Sequence, residues 1–271
     1  SSEVVSPLLK GAAQAALVRW CQGRSDKTDL LPYLLERAGA RIETHALPGY
    51  TVDWYHLNDN PPALHSRTVN INIGPLRLLD ASIEIMAPAD EAITVSLTWR
   101  KETESPAALK TKLNLVDEMG RPVAGSEQTI RDVTGAGADS WLVGQVVKDY
   151  ATLSLGPGIA PLRYTLRLGV YQEQDLNGYD VLDAAGAPAG KSYDLAIVEL
   201  IPARGLTRKE VDRERLMLRP IANGLVAPGL ELAAFSIGQS EFWAGDNLSV
   251  FAEWRNIGEQ LPDYLPSLRL T

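Results

Sequence analysis

The stretch AITVSLTWR, residues 92–100, alternates between apolar and polar side chains. Because successive side chains of a β-strand point to opposite faces, one face carries the apolar residues Ile93, Val95, Leu97 and Trp99. Further alternating runs, separated by turns rich in Gly, Pro, Asn and Asp, continue through residues 66–203. Strands spaced in this way are typical of an antiparallel sandwich. The sequence therefore predicts a mainly β chain whose central domain, residues 66–203, is an antiparallel β-sandwich of the Ig-like or jelly-roll-like kind.

Residues 1–60 show the mixed pattern of a small α/β unit. The run AALVRWC, residues 15–21, is apolar enough for a buried strand, and the stretches at 41–47 and 51–57 alternate like two more strands. A double proline stands among other turn formers at 58–66, which indicates a linker. The unit is therefore predicted to precede the sandwich.

A helix is predicted between the first two strands of this unit. Its apolar face consists of leucines at helical spacing, namely Leu30, Leu31, Leu34 and Leu35. Asp26 or Thr28 could cap its first turn. Gly39 suits the position at the end of a helix that requires a left-handed backbone.

The pair Trp99-Arg100 recurs as Trp254-Arg255, and the similarity extends beyond these residues. A gap-free alignment also superimposes Val95 on Val250, Leu113 on Leu268, Leu115 on Leu270 and Gly74 on Gly229. A register shared over so many positions favours an internal repeat over a chance similarity of strands. Residues 225–271 are thus predicted to be a truncated second copy. Its apolar face would pack on the first domain, on another chain or on further sequence.

Residues 204–224, between the two copies, form a charged linker. Thr207 and Glu210 have the spacing of a capping box, and the charges that follow alternate in sign. A solvated helix or arm explains this pattern, and a basic partner site is the alternative.

The formal net charge of −8 argues against nucleic-acid binding, which requires basic patches, and against docking on an anionic membrane. Cys21 is the single cysteine, so no intrachain disulfide is possible, and a buried position is expected for it. No apolar run reaches the length of about 20 residues that spans a bilayer. The chain starts without Met and without the features of a signal peptide, and we interpret it as a piece of a longer protein.

The stretch DLNGYD, residues 175–180, offers oxygen ligands on Asp175, Asn177 and Asp180 that could hold calcium. Asn177-Gly178 is also a strong hairpin signal, so a turn without metal is the alternative. No other cofactor is predicted, because the glycine-rich stretches lack the context of a phosphate loop. No catalytic residue is assigned, since HExxH, GxSxG and His–Cys clusters are absent and the many acidic pairs single out no dyad.

Exposed aromatic side chains on a sandwich could stack on sugar rings. Trp99 and Trp254 occupy equivalent positions of the repeat, so both are expected to be buried. Trp141 and Trp243 stand beside loops and are the better candidates for exposure. Together with Tyr179 they are the predicted ligand-binding residues.

The stretches AALVRWC and LLPYLLERAGARIETHALPGYTVDWYHL resemble the end of the extracytoplasmic region of bacterial multi-spanning membrane glycosyltransferases, the dolichyl-phosphate-mannose–protein mannosyltransferase-like enzymes. The stretches ITVSLTWR, KLNLVDEMGRPVAG, RYTLRLGVYQ and VLDAAGAPAG resemble the β-sandwich that follows in some of them. The similarity covers residues 15–201. It consists of strand and hairpin patterns, and no catalytic residue is implied, since the sugar-transfer acids of that family lie in loops of the membrane portion.

The resemblance implies a soluble, non-catalytic accessory region on the extracytoplasmic face of the cell membrane, which contacts an acceptor glycan or a cell-envelope protein. It would reach the membrane only through an upstream part of the chain. The alternative is a free-standing cell-surface module for adhesion or carbohydrate binding, and a hydrolase is the least favoured hypothesis.

Overall fold

In the computed structural model, the chain folds mainly into antiparallel β-strands. The residues that the structure describes are 9, 11–20, 30–58, 62–89, 91–105, 108–156, 159–172, 174–175, 177–182, 186–202, 218–237 and 250–258. Residue contacts divide the chain into two units, Ser1–Arg204 and Gly205–Thr271. The prediction of a mainly β chain with an antiparallel sandwich is confirmed.

Unit 1 begins with a three-stranded antiparallel sheet and one helix. In chain order the elements are β1 (Gln14–Trp20), α1 (Leu30–Ala38), β2 (Gly39–Leu47) and β3 (Tyr50–Leu57). The spatial order β1-β3-β2 makes β3 the central strand. Leu35 of α1 contacts Tyr55 and Leu57 of β3. Tyr33 of α1 places its ring 4.9 Å from the ring of Tyr150 in the sandwich, so the helix connects the two parts of the unit.

The sandwich follows in the same unit. Its strands are β4 (His65–Ile73), β5 (Leu76–Ile83), β6 (Met86–Pro88), β7 (Ala92–Lys101), β8 (Leu109–Val116), β9 (Pro122–Thr129), β10 (Val146–Ser154), β11 (Arg163–Gln172), β12 (Val181–Leu182) and β13 (Tyr193–Ile201). One sheet has the order β10-β7-β5-β4-β12, and the other has the order β6-β13-β11-β8-β9. Among these strands, only the short β6 pairs in parallel, with β13.

The inner faces of the two sheets form one hydrophobic core. As the alternation in residues 92–100 predicts, β7 contributes the fully buried side chains Ile93, Val95, Leu97 and Trp99. The opposite sheet contributes Leu113, Leu115, Leu166 and Leu168 to the same core. Burial of such side chains contributes about 1.5–3 kcal/mol each, so this core is the main source of stability in unit 1.

Gly39 does not end the helix with a left-handed backbone, contrary to the sequence prediction. It is the first residue of β2 and pairs with Leu57 of β3. A Cβ atom at this position would clash with the carbonyl oxygen of His56. The close approach of β2 to β3, and not a positive φ, therefore requires glycine here. The predicted cap residues Asp26 and Thr28 lie outside the described residues.

Unit 2 contains an antiparallel sheet, whose pairing can be compared with that of the sandwich. Its strands are β14 (Arg219–Pro220), β15 (Leu225–Ala227), β16 (Leu230–Ile237) and β17 (Val250–Asn256). β16 pairs with β17 as β5 pairs with β7, and both pairs contain a bulge at the same place. The bulge follows Leu78, opposite Trp99, in one copy and Leu232, opposite Trp254, in the other. This shared irregularity supports the internal repeat, because a bulge is a specific feature of a strand pair.

The gap-free alignment correctly matches the residues of β17 with those of β7. In β16, however, every residue is equivalent to a residue of β5 that lies one position away from the one the alignment gives. Leu230, and not Glu231, takes the place of Leu76 in the strand pair. Gly74 and Gly229 are consequently not equivalent, although both lie in the preceding turn with φ values of 59° and 81°. Gly74 is the first residue of its two-residue turn, whereas Gly229 is the second.

Trp254 is 40% exposed, so the prediction that it is buried like Trp99 is wrong. In the first copy, the second sheet of the sandwich covers Trp99. Within residues 218–237 and 250–258 of unit 2, no second sheet is present to cover Trp254. The tryptophan therefore keeps its place in the strand pair without the core that buries its counterpart. The remaining repeat positions, Leu268 and Leu270, lie outside the described residues.

The charged linker is described only from residue 218 onward, and Cys21 also lies outside the described residues. Among the residues that the structure describes, no helix is long and apolar enough to cross a membrane. The predicted boundary between the α/β unit and the sandwich stays a prediction, since residue contacts group both in unit 1.

Glu84, just after β5, is a buried carboxylate with 4% exposure. Burial raises its pKa above the ordinary value of 4.5, and a hydrogen bond of 3.0 Å from the Thr94 hydroxyl opposes this shift. The folded state therefore holds the proton more tightly than the unfolded state, and stability falls as the pH rises from 4.5 through the raised pKa. Glu84→Gln removes this penalty. By thermal unfolding, we expect its Tm to exceed that of the wild type by about 2–4 °C at pH 8.

Near pH 4 the same substitution should leave the Tm almost unchanged, because the carboxyl group is then protonated in both states. The control is Glu118→Gln, which removes the same charge from an exposed position. A gain that is equal at both pH values, or that Glu118→Gln reproduces, would contradict the burial explanation.

Candidate ligand-binding surfaces

Trp141 is buried, contrary to the prediction that it is exposed. It is 3% exposed and belongs to the sandwich core. Its indole nitrogen donates a hydrogen bond of 3.0 Å to the carbonyl of Ala136. Its own carbonyl accepts a hydrogen bond of 2.7 Å from the Nζ atom of the buried Lys101. The loop before β10 thus folds inward, and its aromatic ring completes the core instead of facing a ligand.

Tyr179 is half-buried and packs against the same core. Its ring lies against Gly74, where an added Cβ atom would approach the ring Cγ to 2.5 Å. Its hydroxyl accepts a hydrogen bond from the side-chain amide of Gln172. These contacts engage both the ring and the hydroxyl of Tyr179. The third predicted residue, Trp243, lies outside the described residues.

Asp175, Asn177 and Gly178 lie in a turn, and residue 176 lies outside the described residues. Asp175 Oδ1 accepts a hydrogen bond of 3.1 Å from the backbone N–H of Asn177, and Gly178 has a φ of 72°. Asp180 forms an ion pair of 2.9 Å with Lys191. Nowhere in the described part of the chain do three His, Cys, Asp or Glu side chains meet in a group that could hold a metal ion. The turn interpretation explains these residues, and we propose no calcium site.

An aromatic surface that the sequence did not predict lies on one face of the sheet of β1, β3 and β2. Trp20 is 64% exposed and Trp54 is 40% exposed. Trp20 is the cross-strand partner of Tyr50, and their rings stack with centroids 5.9 Å apart and an interplanar angle of 29°. Trp54 lies about 13 Å from Tyr50 along β3, at the rise of an extended strand. We call Trp20, Tyr50 and Trp54 the aromatic platform.

Polar side chains lie beside the platform on the same face. Glu43 is the cross-strand partner of Trp54, and His45 is the partner of Val52. Nε2 of His45 lies 3.1 Å from Oε1 of Glu43. His56, two residues after Trp54, is also exposed. The face therefore combines flat apolar rings with hydrogen-bonding groups.

A polar recess of about 200 Å³ lies where this sheet and α1 meet the sandwich. At its base, Asp53 is 1% exposed, and its Oδ2 lies 2.7 Å from Nη2 of Arg19. Oδ1 of Asp53 accepts a hydrogen bond of 2.7 Å from the hydroxyl of Thr44 and lies 4.0 Å from Nη1 of Arg41. Two arginines thus compensate the buried charge of Asp53. We call this site the junction recess.

Glu36 of α1 lines the same recess. Its Oε1 lies 3.5 Å from Nε of Arg41 and accepts a hydrogen bond of 3.4 Å from the hydroxyl of Tyr55. Burial raises the pKa of Glu36, and the positive charge of Arg41 opposes this shift. Burial also raises the pKa of Tyr55, with a further contribution from the Glu36 carboxylate. Tyr55 therefore stays protonated at neutral pH and acts as a donor.

Comparison of the sequence with protein-family models and with curated proteins found no match. The resemblance to mannosyltransferase-like enzymes therefore stays a prediction. Any functional proposal rests on the geometry of the described residues and on the composition of the chain.

Proposed function

We propose that the chain is a non-catalytic, extracytoplasmic accessory region of a membrane glycosyltransferase-like protein and that it contacts an acceptor glycan through the aromatic platform. One observation carries this proposal: the exposed Trp20 stacks on the half-buried Tyr50, and the exposed Trp54 follows on the same face. A free-standing carbohydrate-binding module would use the same face. Both hypotheses predict glycan contact at the aromatic platform. They differ in whether the chain belongs to a membrane glycosyltransferase-like protein.

The chemistry of the platform favours a sugar. Sugar rings present apolar C–H faces bordered by hydroxyl groups, and aromatic rings cover such faces at a small cost in conformational entropy. Glu43, His45 and His56 lie beside the rings, where they can donate or accept hydrogen bonds with the hydroxyl groups. Because Trp54 lies about 13 Å along the strand from Tyr50, the platform suits an oligosaccharide better than a single sugar.

Other functions fit this chain less well. The net charge of −8 disfavours nucleic-acid backbones and anionic lipid surfaces. Glu36 and Asp53 lie together in the junction recess, but each of these carboxylates is paired with an arginine. Hydrolysis of a glycosidic bond needs one carboxyl group as an acid and the other as a nucleophile or base. The arginine pairing favours binding over catalysis.

The platform can be tested by glycan binding. The chain is screened on an array of mannose-containing and bacterial cell-envelope glycans, and the affinity for the best-bound glycan is measured by calorimetry. We expect Trp20→Ala and Trp54→Ala each to weaken binding about tenfold, or by about 1.4 kcal/mol. Each variant loses one stacking surface while the strand pairing remains.

Trp254→Ala is the matched control, because Trp54 and Trp254 are both 40% exposed and Trp254 lies in unit 2. Its affinity should equal that of the wild type. Unchanged binding by both platform variants, or an equal loss in Trp254→Ala, would contradict the proposal. Binding to phosphatidylglycerol vesicles without binding to any glycan would assign the face to a membrane surface instead.

A further inference from the structure

The junction recess is separate from the aromatic platform. Arg19 and Asp53 adjoin Trp20 and Trp54 in sequence, so they point to the opposite face of the sheet. The recess volume of about 200 Å³ is smaller than the roughly 300–1,000 Å³ of sites for drug-sized ligands. One wall comes from β1, β2, β3 and α1, and the other comes from β9 and β10 of the sandwich. A space of this size suits a molecule of about one sugar ring.

The charges around the recess are paired with one another. Arg19 pairs with Asp53 at 2.7 Å, and Arg41 lies 3.5 Å from Glu36. An ionic ligand would have to break one of these pairs, whereas a neutral ligand leaves them intact. A carboxylate has about four lone-pair sites and a guanidinium has five N–H groups. Each ion pair therefore leaves carboxylate oxygens that can accept, and guanidinium N–H groups that can donate, hydrogen bonds with the hydroxyl groups of a neutral ligand.

The charge of the sandwich wall is also compensated. Glu127 accepts a hydrogen bond of 2.8 Å from the hydroxyl of Tyr171 and lies 2.9 Å from Nζ of Lys112. These two contacts hold the pKa of Glu127 below its ordinary value. Glu127 thus stays ionised and paired, and it adds no uncompensated negative charge that would attract a cation.

Uncharged hydrogen-bonding groups complete the sandwich wall, namely Ser126, Gln128, Thr152 and Ser154. The side-chain amide of Gln128 donates a hydrogen bond of 2.7 Å to the carbonyl of Tyr150, which fixes its orientation. Oγ1 of Thr152 is buried and has no hydrogen-bond partner within the described part of the chain.

We propose that the junction recess binds one neutral sugar residue, whose hydroxyl groups are held between the α/β wall and the sandwich wall. This inference rests on the proposed glycan-contacting function and adds a second site to it. The platform takes an extended glycan, and the recess takes a single residue. Because both walls contact the ligand, binding stabilises the junction between the two parts of unit 1.

The recess is tested by titrating the whole chain with free mannose, glucose, galactose and N-acetylglucosamine up to tens of millimolar, followed by amide NMR. We expect saturable shifts in β3, β9 and β10 with at least one sugar. Ser154→Trp adds bulk at an exposed position of the wall and should weaken this binding at least about tenfold. Ser192→Trp, at an exposed serine outside the recess, should leave it unchanged.

A double variant, Ser126→Ala with Ser154→Ala, removes two hydroxyl groups without adding bulk and should also weaken binding. It keeps the test valid if Ser154→Trp perturbs the fold, which circular dichroism would reveal. The absence of saturable shifts with all four sugars would overturn the proposal. Binding that both wall variants leave intact, or binding of inorganic phosphate in place of the sugars, would overturn it as well.

The two sites fail in distinguishable ways. If only the platform proposal is wrong, oligosaccharide affinity does not respond to Trp20→Ala, while monosaccharide binding still responds to Ser154→Trp. If only the recess proposal is wrong, oligosaccharide affinity still falls in Trp20→Ala, while monosaccharide binding is absent or does not respond to Ser154→Trp. Monosaccharide binding that Trp20→Ala abolishes would move the single sugar to the platform and contradict the recess site.

Discussion

Trp99→Ala is expected to lower the free energy of unfolding of unit 1 by about 3–5 kcal/mol. The indole is fully buried between the two sheets of the sandwich. Its removal takes away apolar contacts and leaves a cavity that close-packed neighbours cannot fill. Urea denaturation followed by circular dichroism measures the change. Trp99→Phe should cost less, because it retains most of the volume and the indole N–H has no hydrogen-bond partner among the described residues.

The repeat supplies the matched control for this substitution. Trp254 occupies the equivalent position beside the same bulge but is 40% exposed. Trp254→Ala should therefore cost about 1 kcal/mol or less. If the two alanine substitutions had equal effects, the difference in burial between the two copies would be wrong, and Trp254 would belong to a core of its own.

Lys101→Ala is expected to lower the free energy of unfolding by about 3 kcal/mol. Lys101 is 0% exposed, and its Nζ donates hydrogen bonds to the carbonyl of Trp141 at 2.7 Å and to Glu104 at 3.0 Å. The alanine variant lacks the buried aliphatic part of the lysine side chain, and the carbonyl of Trp141 loses the hydrogen bond that Lys101 donates. Lys101→Met keeps most of this aliphatic part and should show an intermediate loss. The same urea denaturation measures both variants.

Glu104→Ala separates the two contacts of Lys101. The Glu104 side chain is 79% exposed, so its ion pair with Lys101 is worth little. We expect this variant to stay within about 0.5 kcal/mol of the wild type. A loss as large as that of Lys101→Ala would mean that the ion pair, and not the hydrogen bond to Trp141, holds the loop in place.

The sandwich was predictable because its central strands bury one entire face. In β7 the alternation of Ile93, Val95 and Leu97 with polar residues leaves no ambiguity about which side is apolar. The Trp-Arg pairs predicted that the strands of residues 225–256 match those around Trp99, but they did not predict the register of the match. The one-residue shift of β16 comes from the connection to β17, which has 12 residues between Ile237 and Val250, whereas the first copy has 11 between Ile83 and Val95. A gap-free alignment cannot represent this difference in length.

The aromatic platform was not predictable because both faces of β3 contain apolar and polar residues. Trp54 and His56 alternate with Tyr55 and Leu57, so alternation defines two faces without showing which one is buried. The structure buries Tyr55 and Leu57 against α1 and leaves Trp54 exposed. Trp20 looked like a core residue in an apolar run, but β1 is an edge strand with one open face.

Trp141 shows the opposite error. Its loop position suggested exposure, but the loop folds inward. The carbonyl of Ala136 accepts a hydrogen bond from the indole N–H, and Nζ of Lys101 donates one to the backbone carbonyl of Trp141. The contact with Lys101 joins residues 40 positions apart, so sequence spacing could not predict it. A position in a loop therefore did not show whether the tryptophan side chain is accessible to a ligand.

NMR of the indole N–H groups, assigned by single Trp→Phe substitutions, tests most directly whether the platform holds the glycan while the core retains its own tryptophans. The chain is titrated with the glycan that binds best on the array. We predict that the resonances of Trp20 and Trp54 shift in proportion to saturation, and that those of Trp99, Trp141 and Trp254 do not. A shift of Trp141 or Trp254 with none at Trp20 and Trp54 would contradict the platform as the glycan-binding surface.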